Sequence, residues 1–166
     1  VFAGAFGHTY GHNSIMQFYR PGVPSAYGAK RAWYDCMEDP GFIQMKYIKK
    51  LMLAFPFFDR VPDQSIIAGQ NGERYDRLIA TRGNDYLLVY NYSGRTMQID
   101  LSKITGAKKK CWWFNPKNAE VQYIGEFDGN ITNDFALDVA YNAGNDRVLI
   151  AVDSAKNYVE KNLSIK

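Results

Sequence analysis

The chain has 166 residues, with 20 Lys and Arg against 17 Asp and Glu for a formal charge of +3. That balance is too even to require a nucleic acid or an anionic membrane surface as partner, and no apolar run approaches the roughly 20 residues of a membrane helix. Hydrophobic residues make up 46% of the chain, which is enough for a sizeable core and too many for disorder, and 15% are aromatic, which supplies platforms for ring-shaped ligands.

The opening segment, VFAGAFGHTYGHNSIMQFY, contains Gly4, Gly7 and Gly11, each costing a helix about 1 kcal/mol relative to Ala. A short buried strand is expected there, running into a loop that Pro21, Gly22 and Pro24 extend to about Gly28. The segment starts at Val1 without a charged n-region or signal-type apolar stretch, and it reads as the interior of a longer polypeptide.

Ala29, Ala32, Trp33, Cys36 and Met37 form a helical stripe. Asp39-Pro40 ends it and starts a second helix, with Asp39 as N-cap and Pro40 at the first helical position. Phe42, Met45, Ile48 and Met52 make that helix's apolar face, and it stops before Pro56. Cys36 and Cys111, the only cysteines, show neither disulfide-scaffold nor zinc-ligand spacing. Both are expected to be buried thiols in different layers.

Beyond Pro62 the hydrophobic period becomes two. Strands are expected at 74–81, 85–92, 96–101, 108–114, 120–127, 131–139 and 147–152, separated by Gly83-Asn84, Ser93-Gly94, Asn115-Pro116, Asp128-Gly129 and Gly144-Asn145. In 85–92, Tyr86, Leu88, Tyr90 and Tyr92 share one face, with Leu87 and Val89 on the other. Short strands at this spacing predict an antiparallel β-sandwich. Lys108–Lys110 beside Trp112 and Trp113 fit a lysine-protected strand edge with one Trp in the core and the other partly exposed. The domain reading is a βα unit at 1–55, a β-sandwich at 56–153 and a polar tail at 154–166 that is frayed, helical or a lead into further chain. Asp59, Arg60, Asp63 and Gln64 mark the junction of the first two parts; they are read as a hydrogen-bonded fastening.

AGAFGHTYGHNSIMQFY (residues 3–19) resembles the last barrel strand and loop of apiosidase-like glycoside hydrolases. The resemblance continues through RAWYDCMEDPGFIQMKYIKKLM. FFDRVPDQSIIAG, ERYDRLIATRGNDYLLVYNYSGR and KKKCWWFNP then resemble the C-terminal β-sandwich that follows such barrels, the domain labelled collagen-binding. The family generally carries Trp where Met16 stands here. The implied fold is mainly β, an antiparallel sandwich preceded by the last strand and helices of a TIM (β/α)8 barrel.

The implied function is the C-terminal portion of a glycoside hydrolase on plant or complex polysaccharide, of bacterial type and exported to the periplasm or outside the cell. The sandwich would support the barrel, and the GHTYG segment would reach the substrate pocket. Barrel active sites gather at the C-terminal strand ends, so the resemblance makes His8, Tyr10, His12 and Gln17 candidate substrate-binding residues. Residues 1–34 contain no Asp or Glu, whereas a glycosidase needs two carboxyl groups. No catalytic residue is therefore expected in this chain, which alone should be inactive. Neither a metal nor a cofactor is implied: His8 and His12 have i, i+4 spacing, but the surrounding glycines argue against a shared helix. The expected partners are an oligosaccharide or polysaccharide and an upstream barrel of the same polypeptide, with no nucleic acid and no membrane span. The alternative is a stand-alone carbohydrate- or matrix-binding sandwich without a catalytic role.

Overall fold

Residues 85–92 and 147–153 carry the densest alternation and runs of apolar side chains, and they form the middle of the architecture. A computed structural model describes residues 1–138 and 140–163. It contains β1 (Val61–Pro62), β2 (Ile79–Arg82), β3 (Tyr86–Asn91), β4 (Met97–Asp100), β5 (Lys108–Phe114), β6 (Val121–Asp128), β7 (Thr132–Phe135) and β8 (Arg147–Asp153). Six strands make one antiparallel sheet in the order β1-β2-β3-β8-β5-β6, and β4 pairs with β7 in a second sheet. The helices are α1 (Asn13–Met16), α2 (Pro40–Leu53) and α3 (Tyr158–Asn162).

The inner strands β3, β8 and β5 of the large sheet are buried on both faces. Leu87, Val89, Cys111, Trp113 and Leu149 point toward the small sheet and meet Met97, Ile99 and Phe135. Tyr86, Leu88, Trp112, Phe114 and Ile150 point the other way and are covered by Leu51, Met52 and Phe55 at the end of α2, and by Val159 and Leu163 at α3. Strands covered on both sides need apolar residues at successive positions, which accounts for the unbroken YLLV and VLIAV runs. The faces expected for Tyr86, Leu88 and Tyr90 against Leu87 and Val89 are those observed.

Several local expectations are corrected. Residues 3–11 are exposed and form no strand; every strand among the described residues belongs to the two sheets, so this segment has no neighbour to complete a ladder. The helical stripe at 29–37 yields only a 3-10 turn, Trp33–Cys36, because Ala32 is extended (ψ 147°). The strand expected at 74–81 begins only at Ile79, since Arg74 takes a left-handed backbone (φ 49°) and starts a 3-10 turn. β5 is not an edge: it lies between β8 and β6. Accordingly Lys109 is buried with its ammonium on the Gly106 carbonyl. Trp112 and Trp113 are both buried, at 1% and 5% exposure, because helices cover one face and the small sheet the other.

Both cysteines are buried and free. From the tail, α3 docks by Val159 and Leu163, the Lys50 ammonium donates to the Leu163 carbonyl (3.0 Å), and the Asn162 amide donates to that of Ala54 (2.7 Å). Residues 164–166, and Val139 of the strand expected at 131–139, lie outside the described residues.

The FDRVPDQ segment fastens β1 and β2. Arg60 Nη1 donates to the Val1 carbonyl at 2.9 Å and to Thr81 Oγ1 at 3.3 Å, and Arg82 Nε donates to Asp63 Oδ2 at 2.7 Å. Burial works against the Asp63 carboxylate, but hydrogen bonds from Ser65 and Arg82 outweigh it and hold the group below its ordinary range. Gln64 donates to the Ala80 carbonyl at 3.0 Å, while Asp59 stays exposed.

Candidate functional site

The four residues singled out in the opening segment occupy three different settings. His8 and Tyr10 line one groove of about 530 Å³ between the first three residues, α2 and the ends of β3, β5 and β8. The Tyr10 ring lies over the bare backbone of Gly41: a Cβ there would sit 2.5 Å from the Tyr10 hydroxyl oxygen. Among the described residues, neither the His8 ring nor the Tyr10 hydroxyl takes part in a side-chain hydrogen bond, and both are exposed. The opposite wall carries Tyr90, whose hydroxyl donates to Asp146 (3.3 Å), and Lys117, whose ammonium lies 3.7 Å from the same carboxylate. Burial, together with Asp146, pushes the Tyr90 phenol above its ordinary value.

Asp146 is the one acid on this groove among the described residues. One carboxylate, already engaged by a phenol and an ammonium, cannot serve as the two-group machinery of glycoside hydrolysis. The groove can bind and orient hydroxyl-bearing rings through an imidazole, a phenol and an apolar floor that includes Ile48 and Val148.

His12 faces elsewhere. It caps α1, its Nδ1 accepting from the Ser14 amide (3.2 Å), which leaves the ring proton on Nε2, directed at Asp39 Oδ2 (3.0 Å). Asp39 begins α2 as expected, but its carboxylate does not bond the helix amides. It accepts from Arg31 and His12 instead, and the Arg31 hydrogen bond chiefly holds its carboxyl below the usual range. Cys36 completes a trio with His12 and Asp39 whose ligand atoms lie within 4.8 Å of one another. The chemistry does not suit a cation: both ring nitrogens are committed and a guanidinium already occupies the carboxylate.

Gln17 closes the following loop, donating to the Asn13 carbonyl (2.6 Å) and accepting from the Ala26 amide (3.0 Å). The structure thus brings His8 and Tyr10 together and sets His12 and Gln17 apart from them. Sequence reasoning missed Lys117 and Asp146. Their nearest signal is the Asn115-Pro116 and Gly144-Asn145 turns, which end β5 and precede β8 on the same edge of the groove.

The architecture is an antiparallel β-sandwich with a helical layer, joined to a Gly- and aromatic-rich segment. Residues 61–152, from β1 to all but the last residue of β8, match the family described as "Putative collagen-binding domain of a collagenase", and the chain belongs to that family. Residues 1–59 match the family described as "Apiosidase-like, catalytic domain".

Among solved structures, the chain is similar to a protein described as a glycoside hydrolase, with 68% identity, 95% of this chain, 35% of that one and a TM-score of 0.92. It is also similar to a glycoside hydrolase family 5 protein from Bacteroides vulgatus ATCC 8482, with 67% identity, 96% of this chain, 35% of that one and the same TM-score of 0.92. The chain therefore spans about a third of the length of these structures. No curated protein matches it.

Proposed function

We propose that this chain is the C-terminal portion of a glycoside hydrolase acting on plant or other complex polysaccharide. The observation that carries the reading is 67–68% identity to two glycoside hydrolases across almost the whole chain. In this reading residues 1–55 are the last βα unit of a TIM barrel that supplies the catalytic carboxylates, and the sandwich of residues 56–153 packs on that barrel and supports it. Phe6 and Phe58, 93% and 94% exposed, supply apolar surface for the barrel to cover. His8 and Tyr10 contact sugar, with His12 and Gln17 holding the adjoining loop. Export to the periplasm or cell exterior is the location at which such a hydrolase meets polysaccharide; no described helix is long and apolar enough to cross a membrane.

Two measurements test the reading. The purified 166-residue chain should not turn over aryl glycosides; turnover that is lost on mutating one of its own acids overturns the assignment. In a full-length hydrolase carrying this chain as its C-terminal part, His8→Ala or Tyr10→Phe should lower kcat/KM about ten-fold or more, roughly 1.4 kcal/mol, with little change in Tm. A lowered Tm with unchanged kcat/KM would remove both residues from the site.

A further inference from the structure

A second concavity, of about 350 Å³, lies at the loop end of the sandwich. Three segments distant in sequence build it: 73–76 before β2, Ser93 in the turn after β3, and 141–143 before β8. Its rim is aromatic. Tyr75 and Tyr141 are 74% and 64% exposed, and the Tyr75 ring leans on Tyr92 with centroids 5.8 Å apart. The Tyr141 hydroxyl donates to the Asp76 carboxylate, 2.8 and 2.7 Å from its two oxygens, which fixes the ring and holds the carboxyl below its ordinary range.

The frame is rigid. The Arg95 guanidinium donates to the carbonyls of Asp76 (2.9 Å), Gln70 (3.1 Å) and Asn71 (2.6 Å), and the Asn142 amide donates to the Ser93 carbonyl (3.0 Å).

Ser93 is 3% exposed and belongs to the cavity lining, and its hydroxyl sits against the Asp76 carboxylate, where after Tyr141 it helps to hold that group below its ordinary range. The charges around it balance, with Glu73 and Asp76 against Arg74 and Arg95, so the site favours neither an anion nor a cation. What remains is aromatic faces with carboxylate and hydroxyl acceptors, the complement of a ring that carries donating hydroxyl groups.

We propose that this cavity is a binding site for a neutral saccharide, separate from the His8–Tyr10 groove, with Tyr75 and Tyr141 packing on the sugar and Asp76, positioned by Ser93 and Tyr141, taking its hydroxyls. The site goes beyond the hydrolase reading and does not depend on it. A proline-rich peptide is the weaker fit: aromatic grooves hold such peptides by donating to their carbonyls, and here the Tyr141 donor is spent on Asp76.

The test is affinity electrophoresis of the 166-residue chain in gels containing arabinoxylan, xyloglucan or polygalacturonate, with titration of a (Pro-Pro-Gly)10 peptide alongside. Retardation by at least one of the two neutral polymers is expected, weakened about five-fold by Tyr75→Ala and reduced by Ser93→Ala. Tyr75 is an exposed side chain, so its removal spares the fold; an unaltered Tm for both variants confirms that binding alone was changed. Four results would overturn the proposal: no retardation by either neutral polymer, retardation indifferent to Tyr75→Ala, retardation by polygalacturonate alone, or binding of the peptide alone. Each is independent of whether a full-length enzyme hydrolyses glycosides.

Discussion

Leu51→Ala is the sharpest probe of where the folding unit begins. Leu51 sits in the last turns of α2, is 3% exposed, and packs on the sheet face built by Leu88, Trp112 and Ile150. If α2 is an integral layer of the sandwich, truncating this side chain removes its transfer free energy and leaves a cavity, for a cost of about 2–5 kcal/mol. For a chain of this size that corresponds to a Tm fall of roughly 5–15 °C, at about 2–4 °C per kcal/mol. Leu53→Ala is the internal control: the side chain is two residues away on the same helix but 59% exposed, so its loss should cost under about 0.5 kcal/mol. Urea unfolding followed in parallel by far-UV and near-UV circular dichroism gives both costs. A single coincident transition with a large Leu51 effect places α2 inside the cooperative unit, and a shortened chain starting at Phe55 would then lose stability with its helical layer. Equal small effects for the two variants, or separate transitions at the two wavelengths, would refute the reasoning and put the boundary after α2.

Gly41→Ala should stabilise the fold slightly, by up to about 1 kcal/mol of helix propensity, while pushing Tyr10 out of the groove, because the new methyl would fall 2.5 Å from its hydroxyl oxygen; a Tm drop with an unshifted Tyr10 ring resonance would show that α2 yields instead. Alkaline stability should fall between about pH 9 and 12. Burial pushes the Cys111 thiol and the Tyr86 phenol up to about 12, and burial with Asp85 does the same for Tyr158. Groups raised on folding stabilise fully below their unfolded values, and that stability is lost as pH climbs toward the folded ones. Lys109, lowered by burial, offsets part of the fall. Tm measured in steps from pH 8 to 12 should show the decline starting about one unit later in Cys111→Ala; identical profiles would mean the thiol is not shielded.

The strands are legible in the sequence where a period of two survives burial on both faces and a turn marks each end. β5 is the clear case, since its bounds fall between a Gly106-Ala107 approach and the Asn115-Pro116 stop. The failures have physical causes. A stripe of Ala29, Ala32, Trp33 and Cys36 fits one 3-10 turn as well as a helix once Ala32 is extended. Alternation assigns Trp112 and Trp113 to opposite faces but cannot reveal that a helix covers the second face. Of the site, His8 and Tyr10 stand out because they lie together between glycines. The Tyr141–Asp76 pair spans 65 residues of sequence, and no local pattern announces a contact of that length. Lys109 resembles a solvated edge residue because strand order is not written in any single strand.

The position of β8 has a kinetic consequence. It is the last of the described strands in sequence, yet it lies in the centre of the large sheet, pairing Tyr86 with Val152 on one side and Lys110 with Val152 on the other. Until it is made, β3 and β5 have no common partner and both halves of the apolar interior stay open. Such long-range closure slows folding and prolongs the exposure of unpaired strands. During synthesis the sheet can close only after residue 153 has left the ribosome, so loss of β8 is far more damaging than loss of β1 at the sheet's edge.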